Sequence, residues 1–416
     1  MAFATQLSVP GLPITPSYLA LALWIVLSTG RIVLGHSLVM TDAFKQLARF
    51  WLGLAIALSI GTLVGYFKDE LSISDALHDV ASYVFLALLT CLSVAESDLS
   101  RRLRVIAWYV VIIGQLALLV QAALAWNLLH QSGVELWYWD VRFQGWSENP
   151  NQLALYCAIL GPLGLYLATT SERLRPALAG FVSMILPFYM GRLTESDTYV
   201  LATIATYVPF LFLQLRAGPP AGGRISGITR KAAVFLLALS IPLCLALVPL
   251  GLTNVDDLHD FAKGLTRGKG GPATERSTEQ RLHLWDGAFE KGLYSGSLGL
   301  GPGPHVDRPA NRSGSGASLI VPKEAHNTIL DFYTQGGLMA VLLLVWIVSS
   351  AAARVWHAKL DGLLGLMASI VVFSIFHLTV RHPIVWFGIA LCLAARSHPV
   401  EVARLQPAVL VARPST

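Results

Sequence analysis

Charge is what this chain has least of. Only 13% of its 416 residues are Asp, Glu, Lys or Arg, against about 25% in a soluble domain, and that scarcity speaks against a water-exposed globular surface. Cysteine is scarcer still: Cys91, Cys157, Cys244 and Cys392 all fall inside apolar runs, which gives no basis for a disulfide framework or a cysteine-built zinc site. Nucleotide machinery is missing as well. Gly268-Lys269-Gly270-Gly271 lacks the spacing and the Ser/Thr of a phosphate-binding loop, and the Gly299 to Gly303 run is not followed by a Lys. No internal repeat is visible. The first sixteen residues carry neither charge nor a small-residue cleavage pattern, so no cleaved signal peptide is expected. Energy for any reaction must then arrive with the substrate.

What the chain has instead is apolar length. Apolar residues make up 54% of it and the mean hydropathy is +0.59. Runs long enough to cross a hydrocarbon core as helices lie near 18–35, 47–67, 78–95, 105–125, 151–169, 176–190, 198–215, 232–252, 326–349, 362–380 and 383–396. The expected fold is an all-α polytopic integral membrane protein with about 11–12 transmembrane helices. One large external loop with short helices of its own spans 253–324. It divides a helical region, 1–252, from a C-terminal helical region, 325–396, and a tail, 397–416, follows.

A formal charge of +5 and a pI near 9 suggest nucleic acid until the basic residues are placed loop by loop. Arg101, Arg102, Arg104, Arg173, Arg175, Arg216, Arg224, Arg230, Lys231, Arg354, Lys359, Arg396, Arg404 and Arg413 all fall in alternate connections. The positive-inside rule puts these in the cytoplasm, and no nucleic-acid partner is needed to explain them. The connections between hold only Lys68, Arg142, Arg192 and Arg381 and lie on the far side with the long loop. That loop carries nine basic and nine acidic residues and is too long to vote on topology. With eleven spans the N-terminus is external; with twelve, both ends are inside.

Three external stretches carry chemistry. In Arg142-Phe-Gln-Gly145-Trp-Ser-Glu-Asn149-Pro150-Asn151, Asn149 is placed as an N-cap and Pro150 in a first helical turn. The helix that follows points its free N–H groups outward, with Arg142 just ahead of it. Plain capping explains Asn149-Pro150 equally well. Gly191-Arg192-Leu-Thr-Glu-Ser196-Asp197-Thr198 repeats the arrangement, Arg192 being either a ligand or a snorkelling interfacial residue. In the long loop, Ser277-Thr-Glu-Gln280 reads as a capping box for a helix over about 278–291 with Arg281, Trp285 and Phe289 on one face. A Gly-rich turn follows, and the loop returns as Pro322-Lys-Glu-Ala-His326-Asn327, where His326 begins the next helix as a cap or as a functional group.

Two further clusters admit both a bland and a sharp reading. Trp126, Trp137, Trp139 and Trp146 suit an interfacial aromatic belt and also stacking on sugar rings. Asp256-Asp257-Leu-His259-Asp260 suits a helix start and also, in principle, a divalent cation.

Taken in order, Arg142…Gly145…Asn149-Pro150-Asn151, then Arg281-x-x-x-Trp285 with its Gly-x-Gly-x-Gly turn, then His326-Asn327 at the end of a large loop resemble the bacterial O-antigen ligase superfamily, whose relatives include O-antigen polymerases and O-linked oligosaccharyltransferases. The motifs cover about 140–340, and length and the compact C-terminal end look more like the ligase branch. One departure is Ser196-Asp197, where many relatives have Ser-Arg; Arg192, four residues before Ser196, is the nearest basic group. The resemblance implies an undecaprenyl diphosphate-linked O-antigen as donor and a sugar hydroxyl of lipid A–core as acceptor, joined at the periplasmic face of the Gram-negative inner membrane without metal or other cofactor. It implies His326 as general base, Arg142, Arg192 and Arg281 as diphosphate clamp, and Asn149, Asn151 and Asn327 as orienting groups. The chemistry agrees: Arg binds phosphate oxygens through two donors at once, and a His near neutrality can take a hydroxyl proton. A polymerase with the same donor is the neighbouring alternative. A lipid-linked glycan transporter is the alternative of a different class, and it would use deeper ionisable residues, of which Asp331 and His377 are the candidates.

Overall fold

The computed structural model describes residues 5–7, 15–35, 38–96, 98–131, 133–216, 272–306 and 323–395. The expected span 232–252, the basic linker before it, the acidic 256–260 cluster, and the tail lie outside the described residues. The rest is helical: α1 Pro16–Val33, α2 Asp42–Phe67, α3 Ile73–Val94, α4 Leu99–Ala125, α5 Pro150–Thr169, α6 Leu174–Val182, α7 Ile185–Leu193, α8 Asp197–Arg216, α9 Pro272–Tyr294, α10 Thr328–His357, α11 Asp361–Phe376 and α12 Pro383–Leu393. A two-stranded hairpin, β1 Trp137–Tyr138 and β2 Arg142–Phe143, precedes α5. Seven helical stretches among the described residues are long and apolar enough to cross a membrane, and α11 and α12 are shorter apolar helices. The protein is a polytopic α-helical membrane protein.

The helices start where the sequence supplies caps. Thr15, Thr41, Asn149 and Asn327 each accept backbone N–H groups of the turn they precede. The outer faces of α1 to α4 expose Leu23, Val26, Leu52, Leu63, Leu116 and Leu119, as a lipid-facing surface requires. At the centre is α5, buried along almost its whole length and packed against α4, α6, α7, α8 and α11.

Two expected elements differ from the structure. The run 176–190 is not one helix: α6 and α7 meet at Ser183-Met184, and Gln115 Nε2 donates to the Ser183 carbonyl at 2.7 Å, so the break inside the bundle is satisfied. The loop helix begins at Pro272 and ends at Tyr294, longer at both ends than 278–291.

The Gly-rich turn does not stay outside the bundle. Gly337 has φ 67° inside α10 and kinks it. The carbonyls of Thr334 and Gln335, which that kink frees, accept from Leu300 N at 2.7 Å and Gly301 N at 2.9 Å, and Leu338 N donates to Ser297 O at 2.9 Å. The turn thus repairs a broken helix, the condition for irregular backbone at membrane depth. Gly61 and Gly65 of α2 make room for it. Residues 5 and 6 bond to the 135–152 stretch, which puts the start of the described chain at the same end as Arg142.

Candidate functional site

Arg142 lies on the hairpin, Asn149, Asn151, His326 and Asn327 lie at helix starts, Arg192 lies in the last turn of α7, and Arg281 lies within α9. The β1–β2 hairpin pairs Tyr138 with Arg142, and the Arg142 guanidinium is held by the Thr194 carbonyl at 2.9 Å and Asn151 Oδ1 at 3.1 Å. Asn149 caps α5, accepting from Asn151 N at 2.8 Å. Burial lowers the Arg142 pKa from its ordinary value; Asp197 and Glu195 oppose that shift and Arg281 adds to it. Arg281, on α9, is likewise lowered by burial and opposed by Asp197. The two arginines therefore feel each other and share one carboxylate, from a loop helix and a hairpin more than a hundred residues apart.

His326 joins them. It lies one residue ahead of the cap rather than beginning the helix, because Asn327 is the N-cap, with Oδ1 accepting from Ile329 N and Leu330 N. Its backbone has φ 52°, a left-handed conformation that a non-glycine residue holds only when its surroundings impose it. Asp331 imposes it: one carboxylate oxygen accepts from Ala325 N at 2.8 Å and the other from Asn327 N at 3.3 Å, on either side of the histidine. The ring keeps an exposed face. Partial desolvation nonetheless lowers its pKa below the usual imidazole value, against Glu324 and with Arg281 and Lys323. That direction favours the uncharged ring at neutral pH.

Arg192 occupies the last turn of α7, two residues before the Thr194 carbonyl that holds Arg142, and among the described residues it makes no ion pair. The α9 face covers the cluster, with Trp285 6.2 Å from the Phe376 ring and Phe289 6.1 Å from Tyr333. Of the four tryptophans, Trp126 bonds Tyr189, Trp146 bonds Gln131, Trp137 packs on Phe143, and Trp139 stacks on Tyr138 while largely exposed. Among the described residues no group of three His, Cys, Asp or Glu side chains is placed to hold a metal ion. A narrow cavity lined by Cys157, Phe188, Tyr199 and Tyr207 belongs to the helix interior and not to this cluster.

Sequence reasoning named Asp331 and His377 only as deep ionisable residues of a transporter, and it did not find a third group. Asp331 and His377 are not mid-membrane residues: Asp331 is in the first turn of α10, and His377 caps the C-terminus of α11 at the same end. The third is an ion network. Arg381, between α11 and α12, binds Asp79 of α3 and also Glu324. Asp79 Oδ2 further accepts from Gly303 N at 3.1 Å and Gln335 Nε2 at 3.4 Å. Burial alone would lower Arg381, but Glu324 and Asp79 outweigh it and raise its pKa. The available signal was Asp79 inside an apolar run, a charge that is costly unless paired, with Arg381 a lone basic residue in an external connection.

Residues 179–345 match the family model described as O-antigen ligase, a stretch that includes Arg192, Arg281, His326 and Asn327. No curated protein matches the chain.

Proposed function

We propose that this chain, similar over 179–345 to the O-antigen ligase family, transfers O-antigen glycan from an undecaprenyl diphosphate carrier to a sugar hydroxyl of lipid A–core at the periplasmic face of the Gram-negative inner membrane. The observation that carries the reading is the meeting of Arg142, Arg281 and His326 at one end of the bundle, beside the N-termini of α5, α8 and α10.

The acceptor hydroxyl oxygen attacks the anomeric carbon while His326 takes the hydroxyl proton. The bond from that carbon to the diphosphate oxygen breaks, and the diphosphate leaves on its lipid. Direct displacement inverts the anomeric centre. Arg142, Arg192 and Arg281 form the clamp that neutralises the departing diphosphate, and the helix N-termini add fixed positive potential. Asn151 holds Arg142, Asn149 fixes the start of α5, and Asn327 fixes the start of α10 next to the base. Helix α9 carries Arg281 to the site, and the reaction calls for neither metal nor nucleotide.

The test is a reconstituted reaction with purified donor and acceptor. His326→Ala should abolish transfer while donor still binds, and Arg281→Ala should weaken donor binding first. Transfer at near wild-type rate by His326→Ala would remove the base assignment. Capped core as product supports a ligase; longer polymer on the carrier supports the polymerase reading, which shares the donor and differs in acceptor. Movement of donor across vesicles without product would support a transporter.

A further inference from the structure

His377 is a titratable side chain where three elements of the site meet and for which the proposed reaction has no use. Its carbonyl accepts from Thr328 Oγ1 at 2.7 Å, in the first turn of α10, one residue past the Asn327 cap. Its Nε2 lies 3.3 Å from Thr198 Oγ1, in the first turn of α8. The residue before it, Phe376, meets Trp285, one turn beyond Arg281 on α9. The half-buried ring therefore lies between two helix N-termini and beneath the helix that bears Arg281. Helix N-termini attract anions, and one imidazole nitrogen is not committed to Thr198.

We propose that His377 is a further donor-contacting group, binding a phosphate of the lipid-linked diphosphate alongside Arg142 and Arg281. This rests on the reading of the site given above. The charged and titratable groups that face the ring are Arg281 from α9, His326 ahead of α10, His382 ahead of α12 and Arg142 from the hairpin, with Asp197 at the start of α8 between the two arginines. Burial and these neighbours push His377 down to about 3, so in the absence of an anion it is neutral. A bound diphosphate offsets the guanidinium charges, and the same ring becomes a strong hydrogen-bond donor to phosphate oxygen. A neutral histidine there also avoids adding a further fixed positive charge to the three arginines of a site that must stand empty between turnovers.

The experiment uses the full chain in phosphatidylethanolamine–phosphatidylglycerol nanodiscs, with undecaprenyl diphosphate as the titrated probe. His377→Ala removes the contact. His377→Gln keeps a partner for Thr198 but cannot carry charge, and decides the matter if the alanine variant fails to fold. Each should bind the probe at least about tenfold more weakly than wild type, the loss of one charge-assisted hydrogen bond. His357→Ala, at the far end of α10, should stay within about twofold. A folded His377 variant with wild-type affinity overturns this inference and leaves the donor reading standing. Failure of the wild-type protein to bind the probe removes both.

Discussion

Arg381 Nη2 lies 2.7 Å and 2.8 Å from the two carboxylate oxygens of Asp79, joining the α11–α12 connection to a side chain of α3 that is 2% exposed. The pair does more than hold two helices together. Through Glu324, Arg381 fixes the segment two residues ahead of His326, and through Gly303 N and Gln335, Asp79 fixes the Gly-rich turn and α10. Removing Arg381 leaves Asp79 buried without its cation, at a cost of roughly 3–5 kcal/mol, whereas removing Asp79 leaves Arg381 with Glu324 alone. Asp79→Ala and Arg381→Ala should each lower the apparent melting temperature of the detergent-solubilised protein sharply. The double variant should lose clearly less than the sum of the two, and strict additivity would show that the pair is not coupled.

Asp331 is the residue on which the backbone of His326 depends. Its oxygens accept from the N–H groups on both sides of the histidine and hold the left-handed turn at φ 52°. Asp331→Ala should therefore misplace the base without touching the arginines. A shift of about 1 Å in a catalytic group costs about a hundredfold in rate. The expected result is a fall of that order in kcat with donor affinity unchanged, read from single-turnover kinetics and a separate binding titration. An equal loss in both would assign Asp331 to the donor site instead.

How far the sequence reaches is shown by where it stopped. Asn149-Pro150 marked the start of α5 because a cap and a proline act within one turn, and such chemistry is local. The spans were legible because lipid demands continuous apolar length. The break at Ser183-Met184 was not, since the polar group that satisfies it, Gln115, sits on α4. The same holds for Asp79 and Arg381, separated by 302 positions, and for His377, whose partners come from α8 and α10. A lone ionisable residue in an apolar run announces that a partner exists and not which one. The Gly-rich turn was read as an external loop because nothing in its composition reveals that Gly337, far along α10, has left two carbonyls for it to fill.

Acid should destabilise the fold through its buried imidazoles. Burial, aided by neighbouring positive charge, lowers His377 to about 3 and His382 to about 4 from an ordinary 6.5. Between pH 6.5 and about 4 the unfolded chain therefore binds protons that the folded one does not. Stability is fully present above pH 6.5 and declines as the pH falls through that window. Melting temperatures at pH 7.5, 6.0 and 5.0 should drop in that order, and His382→Gln should make the decline shallower. A profile flat down to pH 5 would mean that these rings gain charge without strain.

Two glycines separate close packing from helix propensity. Gly30 is in α1 with nothing within 4 Å of where a Cβ would lie, whereas a Cβ on Gly65 would fall 2.0 Å from the Leu300 carbonyl oxygen. In Gly30→Ala only the unfolded chain and the helix backbone are affected, so a gain of roughly 0.5–1 kcal/mol is expected. In Gly65→Ala the obstacle is backbone and cannot rotate aside, so α2 or the turn must move. The turn is also what satisfies Thr334 O and Gln335 O at the kink of α10. Displacing it strands those carbonyls, adding about 1–3 kcal/mol for each to an overpacking cost of similar size. Melting temperatures should therefore move in opposite directions for the two variants. Because Gly301 N donates to Gln335 O from a turn that Asp79 also holds through Gly303, Gly65→Ala should further expose the Gly296–Gly303 backbone to hydrogen exchange, while Gly30→Ala leaves it protected.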